Sequence, residues 1–323
     1  MKTDAPLTEP QTLIEAIRHF ADPDVALQTM VELRWPDGVH CPTCGRTDPR
    51  FIATRRMWEC KERHPRKQFS AKVGTIFEDS PIDLGKWFAA VWMVANCKNG
   101  ISSYEMHRAL GVTQKTAWFM DHRIRLAMKT GSFVKMSGEV EADETFIGGL
   151  SKNMHKDRRA RTIKGTGGAG KAAVLGIVER GEGYGVSRIK AAQVPNVRRA
   201  TLQPAIREVV EPGAHVYTDA LKSYLGLGDA YTHETIDHAV AFVDGNIHTN
   251  SVENFWSLLK RTLKGTYVSV DPIHLDAYLD EQAFRFNERG HNDGGRFRKV
   301  VSSVAGRRLT YAELIGKNAH QVH

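Results

Sequence analysis

The sequence predicts a mixed α/β protein: a small metal-held ribbon, a helical region, then a mixed sheet with helices flanking it. Three observations carry that reading. Cysteines and a histidine cluster in one short basic stretch, apolar residues recur at helical spacing over 81–130, and strand and helix patterns alternate from about 138 onward. The expected division is an N-terminal helical segment at 1–35, the ribbon at 36–80, a helix-turn-helix at 81–130, the sheet domain at 131–290 and a basic tail at 291–323.

In the first segment Leu13, Ile14, Ile17 and Phe20 recur at helical spacing. Val25, Leu27, Met30, Val31 and Leu33 then continue to the stop at WPDG. The ribbon comes next. Cys41 and Cys44 in CPTCG place two thiolates on one tight turn that Gly45 lets close, and Cys60 with His64 supplies a second pair. Three sulfurs and one nitrogen complete a tetrahedral shell suited to Zn2+. The stretch from Gly45 to Glu59 is long enough for a hairpin between the pairs. Buried core thiols are the competing reading, and they rarely sit in CPxCG amid so many charges. A plain surface role for His64 stays open.

Over 81–130, ISSYEMHRAL, a turn at Gly111 and TQKTAWFMDHRIRLAM form a helix-turn-helix pattern. Ser102 or Ser103 caps the first helix and Thr113 the second. Gln114, Lys115 and Trp118 are then placed to face a DNA groove, with two helices of a bundle as the alternative.

The sheet domain opens with EVEADETFIGG as a strand. AAVLGIVE (172–179) and YGVSRIKAA (184–192) follow as a hairpin. A helix from about Arg198 to Val210, the strand HVYTD, a polar helix start at ALKSY, the strand THETID and a helix from Asn250 to Lys264 complete it. Three strands, helix, strand, helix, strand, helix is the order of an RNase H-like mixed sheet, although other α+β folds share it. GTGGAGKA at 165–172 imitates a phosphate loop, but Ala172 stands where Ser or Thr would hold Mg2+ and a strand follows. ATP binding is not expected.

Three acids fall where chemistry could converge: Asp143 in the first strand, Asp219 at the end of the fourth and Glu253 in the first turn of the helix from Asn250. Hard divalent ions take carboxylate oxygens, and two Mg2+ ions ~3.5–4 Å apart need such groups around them. Glu253, Ser257, Lys260 and Lys264 share an arc of ~60° on that helix. Phe255, Trp256, Leu258 and Leu259 cover the opposite arc, expected to pack on the sheet, and Lys260 could hold a phosphate.

Charge narrows the partner. The 323 residues carry a net +8, and the excess is clustered: nine Lys/Arg against three acids over 40–72, seven against one over 151–171, and seven against two over 285–308. Three basic clusters beside a ribbon and a helix-turn-helix point to an extended polyanion, nucleic acid. The longest apolar run, WFAAVWMVA at 87–95, is short of the ~20 residues a bilayer requires. MKTDAPLTEPQ lacks the pattern of a signal peptide, and Cys97 has no obvious disulfide partner, so a reducing cytoplasm and no membrane are expected.

With Lys260 seven residues after Glu253, the triad Asp143, Asp219 and Glu253 resembles that of the DDE transposases of bacterial insertion sequences, in particular the group with an N-terminal zinc ribbon. RWPDGVHCPTCG, QFSAKVGTIFEDSPI, EADETFIGG, VYTDALKSY, HTNSVENFWSLLKRTLKGTY and YLDEQAFRFNER carry the resemblance across residues 34–289. Some members use asparagine at the third acidic position, and Asn250 and Asn254 flank Glu253. Many relatives place a fourth cysteine where this chain offers His64.

The resemblance implies polynucleotidyl transfer: Asp143, Asp219 and Glu253 around two Mg2+ (or Mn2+) ions, cutting at the element's ends and joining the freed 3′-OH to target DNA. It implies structural Zn2+, DNA as partner through terminal repeats and target, and a homodimer or higher assembly to pair two ends. His248 and Asn250 are candidates to orient water or the leaving strand. Arg285 and Arg289 are candidates to grip phosphate, and Arg158, Arg159 and Arg161 to form a DNA-facing basic loop. A domesticated DNA-binding protein and a metal-dependent nuclease on the same fold are the alternative functions.

Overall fold

The computed structural model describes residues 9–129, 134–148, 170–181, 186–236 and 248–317. The chain divides into two compact units, one formed by 1–129 with 291–323 and the other by 130–290.

The first unit begins with two helices rather than one. Helix α1 (Leu13–His19) starts in a capping box of Thr12 and Glu15, and Phe20 closes it. Asp22 and Pro23 then restart the chain: the Asp22 side chain accepts from the Asp24 N–H, and Pro23 occupies the first turn of α2 (Pro23–Arg34). The ribbon is a three-stranded antiparallel sheet of β1 (Arg50–Ile52), β2 (Met57–Glu59) and β3 (Gln68–Phe69), with β2 central. Helix α3 (Leu84–Asn96), capped by Asp83, is buried from Trp87 to Ala95, so the apolar run at 87–95 is a core helix. No helix of the described residues is long and apolar enough to cross a membrane.

Helices α4 (Ser103–Leu110) and α5 (Gln114–Met128) form the expected pair. Ser102 and Glu105 make a capping box, Thr113 caps α5, and Gly111 between them adopts the left-handed conformation (φ 62°) that a side chain would resist. The segment expected as a basic tail contributes a helix at Asp293–Ser302 and a short one at Tyr311–Leu314. Its apolar face is the reason. Phe297 packs its ring against Phe20, Phe88 and Trp92, and Val300, Val301 and Val304 are fully buried.

The second unit holds a five-stranded sheet. In chain order its strands are β4 (Glu139–Ile147), β5 (Ala172–Glu179), β6 (Arg188–Val194), β7 (His215–Asp219) and β8 (Thr232–Ile236). Spatially the order is β6-β5-β4-β7-β8: β4, β5 and β6 run antiparallel, whereas β7 and β8 are parallel to β4. Three antiparallel strands followed by parallel returns form the RNase H-like arrangement that the element order implied. Helix α6 (Arg199–Val209) provides the connection to β7. Helices α7 (Asn250–Thr262) and α8 (Leu275–Asn287) follow β8. ALKSY, expected to begin a helix, makes only a single 3-10 turn at Lys222–Tyr224.

Period-two alternation splits the sheet between two cores. Val140, Ala142, Leu175, Ile177 and Val216 pack with Leu202 and Ile206 of α6. Val174, Val178, Ile189 and Ala191 pack with Val252, Phe255, Trp256 and Leu259 of α7 and Leu279 of α8. The apolar arc expected on the helix from Asn250 is therefore the buried one, and Glu253 on the other arc is exposed.

Candidate active site and metal centre

Strand β4 places its odd residues on the face that carries α7. Asp143 stands opposite Gly176 of β5, and one position beyond the last β4–β7 pair, Ala142 with Thr218, the adjacent parallel strand ends in Asp219. Glu253 lies in the first turn of α7, where the Thr249 hydroxyl donates to its Oε1 at 3.2 Å. Asp143 feels the other two charges. Burial, reinforced by Asp219 and Glu253, raises the Asp143 carboxyl to about 6 against the opposing Trp256 N–H. Glu144 is raised to about 7, chiefly by burial, with Asp219 and Asp143 adding to it. The triad is more open than the Cys and His cluster described below, the one group of three or more His, Cys, Asp or Glu donors within 4.8 Å of one another among the described residues.

Two contacts join Asp143 to α7. Trp256 Nε1 donates to Asp143 Oδ2 at 2.8 Å. Its ring fits because residue 176 is glycine; a Cβ there would lie 2.6 Å from the indole. Two residues back on the same strand, the fully buried Glu141 accepts from the backbone N–H groups of Ser251 (2.8 Å) and Val252 (3.0 Å). Helix α7 has no side-chain cap of its own, so a carboxylate from β4 serves its first turn. Arg180 donates to Glu141 at 2.7 Å, to Glu139 at 3.1 Å and to the His248 carbonyl at 2.7 Å, and lies over the Tyr217 ring. His248 Nδ1 stands 3.4 Å from Glu141, so its ring is engaged in this network.

Glu141, Glu144 and Arg180 were not singled out from the sequence, and Trp256 was read only as part of the packing arc. EVEADE did carry a signal: Glu141 and Asp143 share one face of a strand, and a charge on a buried face requires a partner.

The arginines assigned to phosphate are used differently. Arg285 is buried, pairs with Glu281 and donates to Gln282 at 2.9 Å, so its guanidinium is directed into the fold. Arg289 gives its N–H groups to the Ser187 and Phe286 carbonyls and lies over the Phe286 ring. The Arg285 reading is corrected: in a sequence, a charge on the inner face of a helix looks like one on the outer face, whereas Arg289, after the helix, is exposed. Lys260 and Lys264 lie along the outer arc of α7 and the turn after it. Arg158, Arg159 and Arg161 fall outside the described residues.

In the first unit, Cys41, Cys44, Cys60 and His64 bring their ligand atoms together within 4.8 Å. The turn is built as expected: the Gly45 N–H donates to the Cys41 carbonyl at 2.8 Å, with Gly45 at φ 77°. Cys60 directly follows β2, and its N–H donates to Lys67. Cys41 Sγ lies 3.4 Å from His64 Nε2, and Cys44 Sγ 3.5 Å from Cys60 Sγ. Burial opposes ionisation of Cys41, but the Cys44 and Thr43 N–H groups outweigh it and bring the thiol to about 7. Three sulfurs and one imidazole nitrogen this close form a donor set for a tetrahedral soft ion.

On the helix-turn-helix, Gln114 donates to Ser103 at 2.9 Å, tying the two helices together. Lys115 is exposed with its ammonium over the Tyr311 ring, and Trp118 is half-buried, edge-on to His122.

Comparison with known families agrees with this geometry. Residues 135–287 match the ISXO2-like transposase domain, and residues 22–64 match the transposase zinc-ribbon domain. A transposase-like protein of Haemophilus influenzae is 38% identical over 101 residues, 31% of this chain and 81% of that protein. The chain belongs to the insertion-sequence transposases. A protein in transposable element ISH50 of Halobacterium salinarum is 27% identical over 275 residues, covering 81% of this chain and 90% of that protein. As a member of that family the chain is a DNA-binding, DNA-cleaving transposase with a zinc ribbon in its first unit and the transposase domain in its second.

Proposed function

We propose that this transposase cleaves the ends of its element and joins them to target DNA at a divalent-metal site held by Asp143, Asp219 and Glu253. The observation that carries the reading is the placement of Asp143 and Asp219 on adjacent parallel strands, with Glu253 near enough to raise Asp143. Grouped carboxylates that resist shared ionisation fit hard cations such as Mg2+ or Mn2+. When bound, two such ions would activate the attacking oxygen and stabilise the leaving one.

The protein's own residues do the rest. Glu141 and Trp256 set α7 against β4, and hence Glu253 against Asp143. Lys260, two turns along from Glu253, is the residue we assign to a phosphate. Cys41, Cys44, Cys60 and His64 would hold Zn2+ as a structural ion. Gln114, Lys115 and Trp118, at the start of α5, would meet the element's end, with the Gln114 contact to Ser103 setting the entry angle of that helix. Pairing two ends calls for at least a homodimer on DNA, and the substrate places the protein in the cytoplasm with the chromosome.

Strand transfer from a pre-cut element end tests the reading. Joining is expected with Mg2+ or Mn2+, and Asp219→Asn should abolish it while end binding persists. Equal joining by the variant would refute the metal-site assignment. Release of fragments without joining would indicate a nuclease, and binding alone a domesticated relative.

A further inference from the structure

Within the first unit, the stretch after Val304 runs back along α5 as a strap. The Gly306 N–H donates to the Gly74 carbonyl at 2.9 Å, and Arg308 donates to Asp79 at 2.7 Å. The Arg307 guanidinium donates to the Leu126 carbonyl in the final turn of α5, where backbone oxygens lack helical partners. Arg123 in turn donates to the Leu309 carbonyl at 3.1 Å. Tyr311 then sets its ring edge-on to Phe119, with centroids 5.7 Å apart, and the Lys115 ammonium lies 4.4 Å from the centre of that ring.

These contacts share one order and one face. Residues 307, 309 and 311 meet 126, 123 and then 119 and 115, so the strap is antiparallel to the helix. Lys115, Phe119, Arg123 and Leu126 fall within an arc of ~80° at ~100° per residue. Extended chain from 307 to 311 covers ~13 Å, the rise of about nine helical residues, which carries it from Leu126 to the turn between Phe119 and Lys115. Thr310 and Glu313 make a capping box for the short helix Tyr311–Leu314, and Leu314 is buried, so Tyr311 is fixed from both sides.

What the strap delivers is a pair of donors at the start of α5. Lys115 is exposed and Tyr311 is 37% exposed. Among the described residues, no hydrogen bond or ion pair engages the ammonium or the phenol hydroxyl. Glu313, the acid on the short helix, is folded back onto the Thr310 N–H and hydroxyl. The ring attracts the ammonium and restricts a flexible four-carbon stem, which leaves less freedom to lose on binding. A phenol oxygen lies ~2.8 Å from its ring centre, so the two donors are at most ~7 Å apart, a gap that one phosphate closes with two ordinary hydrogen bonds.

We propose that Tyr311 contacts DNA: its ring holds the Lys115 ammonium in place, and its hydroxyl donates with that ammonium to one backbone phosphate beside the groove that α5 enters. Tyrosine hydroxyls are among the groups that hold DNA phosphates, and such contacts fix the angle of a reading helix without selecting sequence. The inference rests on the reading of α4 and α5 as a helix-turn-helix.

The test is fluorescence anisotropy of full-length protein on an element-end duplex and on an unrelated duplex of equal length, across a salt series. Tyr311→Phe keeps the ring and its hold on Lys115 but lacks the hydroxyl. It should weaken binding to both duplexes by the same factor, roughly 3- to 10-fold, without changing the salt slope. Its Tm should match the wild type, because the hydroxyl has no partner among the described residues. Lys115→Ala should lower the slope of log affinity against log salt by about 1. Tyr311→Leu keeps an apolar contact to Phe119 but also frees the ammonium, so its loss should exceed that of Tyr311→Phe. In a double-mutant cycle that loss should shrink by about threefold or more once Lys115→Ala is present.

Wild-type affinity in Tyr311→Phe, a loss confined to the element end, or losses that multiply independently in the cycle would overturn the proposal. A weakened Lys115→Ala in that event keeps the helix-turn-helix reading. Lys115→Ala bound as tightly as wild type, with the same slope, removes that reading and the shared phosphate together.

Discussion

Asp143 takes part in two opposed demands, and pH separates them. An unfolded aspartate ionises near the ordinary value of 3.8, whereas burial and the neighbouring acids keep the folded group protonated to about 6. Between these values the folded state binds the extra proton, so its contribution to stability is lost as pH rises from about 4 to about 6. Asp143→Asn removes the penalised charge. In metal-free protein it should raise Tm at about pH 8 and leave it nearly unchanged at about pH 4, as calorimetry would show; an equal shift at both values would contradict this origin. Glu141 acts at the same scale by a different route. Glu141→Gln keeps the shape but weakens both the hold on the α7 N–H groups and the pairing with Arg180. The divalent-ion concentration giving half-maximal joining should rise while end binding is preserved, which a Mn2+ titration would measure.

The placement of Asp143 and Asp219 on neighbouring strands and of Glu253 in the first turn of α7 was legible from the element order, while their role as a triad came from the family resemblance. Their supports were not legible. Nothing local in EVEADE distinguishes Asp143 from Glu141, which caps a helix more than a hundred residues away. Gly176 reads as a weak point in a strand until the Trp256 ring is seen against it.

At the scale of elements, the ribbon and the helix pair depend on different local physics. The ribbon strands are two or three residues long, too short to persist on their own backbone pairing, so the Cys41, Cys44, Cys60 and His64 cluster must supply the cohesion. Cys41→Ser should abolish stoichiometric zinc by elemental analysis and weaken end binding; unchanged metal content would remove the ribbon assignment. The helix pair needs no such ion. Its capping box, left-handed Gly111 and Thr113 cap are all visible in SSYE and LGVT, which is why its boundaries could be read within a residue or two. Arg285 shows the limit of that legibility. It sits in a basic-looking stretch, yet α8 turns it inward onto Glu281, and only the packing of the helix reveals it.

Across the whole molecule, the chain leaves its first unit at 129 and returns to it at 291. The seven basic residues over 285–308 led to the expectation of a basic tail facing nucleic acid. Beneath them, Phe297, Val300, Val301 and Val304 complete a core begun by Phe20, Phe88 and Trp92. Phe297→Ala should cost about 3–5 kcal/mol in the unfolding of the first unit. Denaturation followed by α3 tryptophan fluorescence should shift accordingly, while the melting of residues 130–290 expressed alone sets the reference for the second unit. Loss of both transitions together would mean that the units do not unfold separately.

That return path has a consequence for synthesis. A ribosome produces the whole transposase domain before it delivers the last piece of the first unit, because Phe297 emerges only after β4 to α8 have been translated. A chain interrupted before that point is therefore left with a gap where Phe20, Phe88 and Trp92 await their partner.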